Sequence, residues 1–289
     1  MMPVVALVSA ALYGAADFLG GLASRRMKTA AVVATSQGAG LLVLLTATLL
    51  LPPADPMLAD VGWGMAAGLS GCLGVALLYR ALAIGTMGVV APITAVCAVI
   101  IPVLASLVRG VRPGAVVLLG IGLALVAIVL VSQQAPAAPG GVPAPRSSDL
   151  PAGVVHALFS GVAIGVFFLL LAEARPESGM WPLVGARAAA VPACALVALA
   201  EGVSVRQLHA RALWTAAAAG VVDMTANVLY LVASRMGDLP VAVTLASLYP
   251  ASTVILARLV LGERLHRLQL MGMVCALVAV TLIVAGGVR

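Results

Sequence analysis

Ten predominantly apolar stretches follow one another along the chain, at about 3–24, 30–51, 61–84, 87–108, 114–132, 151–173, 180–200, 211–234, 238–260 and 267–288. An α-helix needs roughly 20 such residues to cross the hydrocarbon layer of a bilayer, so each stretch is an expected transmembrane helix. Most connections between them are only a few residues long, which predicts antiparallel helical hairpins. Ser132 to Pro151 is the exception, with Gln133, Gln134, Arg146, Ser147, Ser148 and several Pro and Gly. That composition predicts a flexible linker. The expected division is residues 1–132, a linker at 133–150, and residues 151–289.

The pattern repeats. A shift of 152 residues lays Leu78–Val131 on Tyr230–Ile283 without a gap, placing Gly85 on Gly237, Val89 on Val241, Gly110 on Gly262, Arg112 on Arg264 and Gly120 on Gly272. The run Ala124–Ala127 recurs as Ala276–Ala279. Matched apolar residues carry little weight in such a chain, so the glycines and the arginine carry the argument for a duplication. Five helices per half is an odd number, so the second half starts from the opposite side of the membrane. The expected fold class is an all-α polytopic membrane protein of ten transmembrane helices, arranged as two five-helix inverted-topology repeats. Such repeats place a substrate site near the midplane between the halves.

Composition agrees with a lipid solvent: 63% of residues are hydrophobic and 9% charged, against about 25% charged in an ordinary soluble domain. The net charge of +6 sits mostly in short connections, where basic residues set orientation and meet anionic lipid rather than nucleic acid. Counting arginines on the two sides places both termini outside. Cys72, Cys97, Cys194 and Cys275 lie in apolar runs without a CxxC spacing, and free, buried thiols are expected. Arg25 and Arg26 follow the first run and no basic segment precedes it, which predicts a retained helix rather than a cleaved leader.

Within the helices, glycine pairs at Gly64/Gly68 and Gly161/Gly165 predict close helix crossings. Pro92, Pro102, Pro192 and Pro250 fall inside apolar spans, and Pro102 and Pro250 are expected kinks on repeat-related helices. Ionisable groups in a bilayer helix are costly and usually face a polar cavity or a partner. Asp223 begins a one-face stripe with Asn227, Tyr230 and Ser234, and Ser9, Tyr13 and Asp17 form a shorter one. Arg187 cannot lose its charge, and its depth predicts a pair with Asp223. His156 near the linker reads as an interfacial residue. Gln37, Thr244, Ser247 and Tyr249 are the other polar candidates, and Tyr79, Tyr230 and Trp181 are candidate aromatic walls. The expected substrate-binding set is Asp223, Asn227, Tyr230, Asp17, Tyr13, Gln37, Arg187, Thr244 and Ser247.

Tyr13-Gly14-Ala15-Ala16-Asp17 in the first helix, Tyr79–Gly85 leading to Val90-Ala91-Pro92-Ile93, Gly262-Glu263-Arg264 and Gln269–Gly272 stand in order across two halves. This ordered set resembles the EamA-type family of the drug/metabolite transporter superfamily over nearly the whole chain. The resemblance implies a multi-pass carrier of the bacterial inner membrane. Such a carrier moves small organic metabolites, often outward, without ATP hydrolysis. It also implies cytoplasmic termini, against the arginine count. Val111 stands where the first half would carry the glutamate of the Gly-Glu-Arg turn. Glu263 is expected to favour the start of the tenth helix.

The expected function is therefore a secondary transporter exporting amino acids or amphipathic amines by alternating access. No cofactor is expected, proton coupling through Asp223 or Asp17 is possible, and the protein would be a monomer or homodimer in contact with membrane lipid. A lipid-head-group flippase or scramblase is the alternative. An intramembrane enzyme is less favoured, because the chain has no HExxH motif and no phosphate-cradling glycine loop.

Overall fold

Apolar surroundings leave a backbone no water to bond with, and the helix satisfies each N–H and C=O within its own segment. The computed structural model describes residues 1–50, 54–108, 110, 114–131, 151–203, 209–236, 245–246, 248–263 and 266–287. Among them ten α-helices occur and no strand: α1 (Met2–Ser24), α2 (Thr29–Leu50), α3 (Leu58–Ile84), α4 (Met87–Val108), α5 (Ala115–Val131), α6 (Val154–Ala172), α7 (Trp181–Ala200), α8 (Ala210–Met236), α9 (Tyr249–Leu261) and α10 (Arg267–Gly287). Seven of these, α1–α3, α6–α8 and α10, are long and apolar enough to cross a membrane. The apolar parts of α4, α5 and α9 are shorter. The expected linker at 133–150 lies outside the described residues.

Two of the boundaries that differ from expectation have a visible cause. α3 begins at Leu58, three residues early, because Asp60 accepts the Met57 N–H at 2.8 Å and pairs with Arg175 at 2.9 Å. In the ninth stretch Leu245 and Ala246 are helical, Leu248 is in a turn and α9 starts at Tyr249, so Pro250 sits in the first turn of α9. A first-turn proline sacrifices no intrahelical bond, so Pro250 suits the start of α9. Pro92 and Pro102 in α4 and Pro192 in α7 do lie inside helices.

Glycines set the crossings. A Cβ at Gly64 would stand 2.0 Å from the Pro182 carbonyl oxygen, and one at Gly68 2.1 Å from that of Ala186. Gly161 and Gly165 meet α4 in the same way, at Cys97 and Ile101. Both glycine pairs therefore serve close packing, where no hydrophobic force drives helices together. The contacts also give direction. α3 and α7 are parallel, because Gly64 meets Pro182 and Gly68 meets Ala186. α3 and α6 are antiparallel, because Gly74 meets Ile164 and Gly85 meets Ala152. Gly20 on Tyr79 and Arg25 on Gly85 set α1 parallel to α3. Gly14 on Thr253 and Arg25 on Glu263 set α9 parallel to α1. Gly161 on Thr94 and Gly165 on Ile101 set α4 parallel to α6.

The same bonds recur in the two halves. Ser9 donates to the Ala226 carbonyl, and Ser160 to that of Gly74, each at 2.8 Å. Gly74 and Ala226 are related by the 152-residue shift. Gly68 and Gly220 are too, and Gly220 packs on the Ser36 carbonyl as Gly68 packs on that of Ala186. Helix pairs α1·α8 and α6·α3 thus match, as do α2·α8 and α7·α3. α5 packs on its own counterpart α10 through Val117, Ala124 and Ala127 against Ala276, Ala279, Val280 and Ile283.

Glu263 corrects another expectation. Gly262 does end α9 in the left-handed conformation, φ 68°, but the Glu263 carboxylate turns away from α10. It accepts the N–H groups of Met87 and Gly88, at 3.2 and 3.3 Å, and meets Arg25 at 3.3 Å. The unsatisfied first N–H groups of α4 attract it. Val111 lies outside the described residues.

The cysteines differ as well. Cys97 and Cys275 are free, but Cys72 and Cys194 form a disulfide. The tight α3·α7 crossing brings their Cα atoms to 6.9 Å, close enough to bridge. Alkylating the denatured, unreduced chain should therefore add two groups by mass, and four after reduction. Four without reduction would refute the bond.

Candidate functional site

The interior charge of the bundle gathers where α1, α7 and α8 meet. Arg187 Nη2 lies 2.7 Å from Asp223 Oδ2, and the two side chains keep 14% and 31% of their surface. The depth argument thus paired the right residues. Both side chains are therefore only partly buried. Its position follows from two glycine contacts. Gly220, one turn before Asp223, takes the Ser36 carbonyl, and a Cβ at Gly40 would stand 3.6 Å from Arg187 Cζ. α2 and α8 are drawn together there, and the long Arg187 side chain reaches across from α7.

α1 completes the site. Ser9 and Thr253 anchor it to α8 and α9 through bonds to the Ala226 and Gly14 carbonyls. Gly14 lets α9 approach until a Cβ would meet the Tyr249 carbonyl oxygen at 2.4 Å. Next to that contact, the Tyr13 and Tyr249 rings meet edge to face with centroids 6.3 Å apart. Tyr13 lies within electrostatic range of Asp223, Tyr230, Arg187 and Asp17. Tyr79 lies within range of Asp223, Asp17 and Arg187. Its ring is seated on Gly20, where a Cβ would stand 2.1 Å from Tyr79 Cζ. Asp17 is half-buried, with Asp223 as a charged neighbour.

Several expectations change in detail. Asn227 donates to the Asp223 carbonyl one turn back, at 2.8 Å, so its amide N–H serves its own helix. The stripe on α8 reduces to Asp223 and Tyr230, and the Ser234 side chain lies outside the described residues. Ser9 is buried in the α1·α8 bond and lines no path. Gln37 is buried and its Oε1 has no partner among the described residues. With Ser36 matching Ala186, Gln37 occupies the position in the first repeat that Arg187 holds in the second. Thr244 and Ser247 lie outside the described residues. Trp181 opens α7 and is 42% exposed, so it belongs to the outer surface rather than to a cavity wall. His156 lines a lateral cleft of about 410 Å³ with Ser70, Leu73 and Phe159, and no member of the central cluster is there.

Tyr79 and Tyr249, named as an aromatic wall and a polar candidate but left out of the expected substrate-binding set, join the cluster. What places them is packing against Gly20 and Gly14 of α1, which is visible only after folding. Among the described residues no three metal-ligating side chains converge. The assembly is one cation, two carboxylates and several phenols held by helices of both halves. It is suited to binding a small polar or charged group within an apolar bundle. The profile of the EamA-like transporter family matches residues 1–133 and again residues 151–285. No curated protein matches the chain.

Proposed function

This chain belongs to the EamA-like transporter family, of the drug/metabolite transporter superfamily, and is a multi-pass membrane protein; from that premise we propose that it is a secondary carrier. It exports small organic solutes, amino acids or amphipathic amines, by alternating access across a bacterial inner membrane. The observation that carries this reading is the convergence of Asp17 and Tyr13 from one half with Arg187, Asp223 and Tyr249 from the other. Charged side chains inside apolar helices mark a solute pathway more often than a packing solution.

Ten spans in two inverted five-helix repeats are part of the proposal. Its support lies in helix direction: α1 runs against its counterpart α6, and α4 against α9. A site between inverted halves faces each side in turn when the halves rock. Energy comes from a solute or proton gradient, with proton entry coupled through Asp17 or Asp223.

Liposomes reconstituted with the purified protein and loaded with an unlabelled solute should accumulate its labelled form by counterflow. A pH gradient should raise that flux, and the Asp17→Asn/Asp223→Asn double variant should lose the gradient-driven part. Undiminished gradient-driven flux in the double variant would remove proton coupling. Scrambling of fluorescent phospholipid without solute exchange would replace the carrier with the lipid reading.

A further inference from the structure

With Asp17 and Asp223 both ionised, the charges of the central cluster do not cancel. Arg187 is committed to Asp223 at 2.7 Å, which leaves Asp17. No hydrogen-bond donor or cation meets the Asp17 carboxylate among the described residues, and its charged neighbour is a second carboxylate. Gln37 adds another acceptor, Oε1, buried and without a donor among the described residues. It lies one turn before Gly40, where α2 meets Arg187 and Gly220. A buried acceptor without a donor is costly. With Asp17 ionised, the cluster as described has acceptors to spare and, among the described residues, lacks one positive charge.

The surroundings of Asp17 are aromatic. Tyr13 stands one turn before it on the same face, with the Tyr249 ring 6.3 Å from the Tyr13 ring. Tyr79 covers Gly20, one turn after it. Faces of aromatic rings attract cations, most strongly where water is excluded.

The repeat shows that this arrangement is not a general property of the fold. The matched bonds Ser9–Ala226 and Ser160–Gly74 set α1 on α6 and α8 on α3. Tyr13 then corresponds to Ile164, Asp17 to Phe168, Asp223 to Gly71 and Tyr230 to Leu78. In the first-half copy the Phe167 ring fills the space over Gly71, where a Cβ would stand 2.9 Å from it. In the second-half copy Ala16 stands in the place of Phe167, and Asp223 and Tyr230 are half-buried. One of the two related crossings is sealed by an aromatic ring, and the other keeps space and charge.

We propose that the transported solute is an amphipathic organic monocation, its cationic head on the Asp17 carboxylate beside the Tyr13–Tyr249 ring pair. The inference rests on the carrier reading above and narrows its substrate class. A monocation brings the cluster to neutrality, whereas a zwitterion leaves the excess negative charge in place. The Arg187–Asp223 pair is then a fixed wall of the site, and Asp17 is the residue that sets specificity.

Three probes with the same phenyl group separate the charge types: 2-phenylethylamine, phenylalanine and 3-phenylpropionate. Calorimetric titration of the full chain in lipid nanodiscs should show the amine binding tightest, by about tenfold or more over phenylalanine. Phenylpropionate should not bind. Asp17→Asn should weaken the amine by about tenfold or more while leaving weak phenylalanine binding unchanged, and Asp17→Glu should restore most of the loss. The glutamate variant also controls for folding, since it keeps the charge. Phenylalanine binding as tightly as the amine, an amine affinity indifferent to Asp17→Asn, or no binding by any probe would overturn the proposal. Counterflow of some other solute in the same preparation would then leave the carrier reading standing; absence of counterflow across amino acids and amines alike would remove that reading as well.

Discussion

Asp223→Asn and Arg187→Gln should each lower the melting temperature of the purified protein more than the double variant does. The two groups share a bond of 2.7 Å in an apolar bundle. Removing one partner leaves the other charge with nothing to balance it, while removing both leaves two neutral groups. For a fully buried pair the single loss is about 3–5 kcal/mol. Here Asp223 keeps 31% of its surface and Arg187 14%. Water screens part of the interaction, and about 1–3 kcal/mol is expected for each single change. The arginine variant should be the milder of the two, because the free carboxylate can take up a proton whereas a free guanidinium cannot lose one. Thermal unfolding of all three variants in one detergent decides the matter. A double variant less stable than either single one would mean that the two side chains stabilise the protein independently.

Gly220→Ala and Gly68→Ala should both destabilise strongly, and by similar amounts. The new Cβ atoms would stand 1.9 Å from the Ser36 carbonyl oxygen and 2.1 Å from that of Ala186. Both obstacles are backbone, so no side chain can move aside. The helices must separate, and the cost is about 3 kcal/mol, the upper part of the range for overpacking. Gly220→Ala should also reduce solute counterflow, because the α2·α8 crossing seats Asp223 against Arg187. Gly68→Ala, at the α3·α7 crossing, should affect stability first. Gly38→Ala and Gly122→Ala are the controls. Nothing lies within 4 Å of a Cβ at either position, so these helical sites should gain up to about 1 kcal/mol from the better helix former. Equal effects at all four positions would show that the loss comes from glycine as such and not from the crossings.

The linear pattern alone was enough for the helices, because a bilayer leaves an apolar stretch no other way to satisfy its backbone. It was also enough for the duplication, carried by Gly85/Gly237 and Gly110/Gly262. The Arg187–Asp223 pair was legible because depth in a helix is proportional to residue number, at about 1.5 Å per residue. Bond geometry was not legible. Asn227 has the same spacing from Asp223 whether it faces a cavity or bonds back to its own helix, and the structure shows the second. Glu263 follows α9 in sequence and precedes α10, yet its partners are Arg25, Met87 and Gly88, far away along the chain.

What the chain determined by itself is one-dimensional: which segments are helical, how they repeat, and which of them carry charge. Hydrophobicity and helical period are local properties, and they can be read locally. Tertiary structure decided which charges meet. It paired Arg187 with Asp223, joined Cys72 to Cys194, and left Asp17 among Tyr13, Tyr79 and Tyr249 with no counter-charge among the described residues. These outcomes depend on how closely two backbones approach at Gly14, Gly20, Gly68 and Gly220. A glycine's effect lies in the neighbour it admits, and the neighbour is set by the fold.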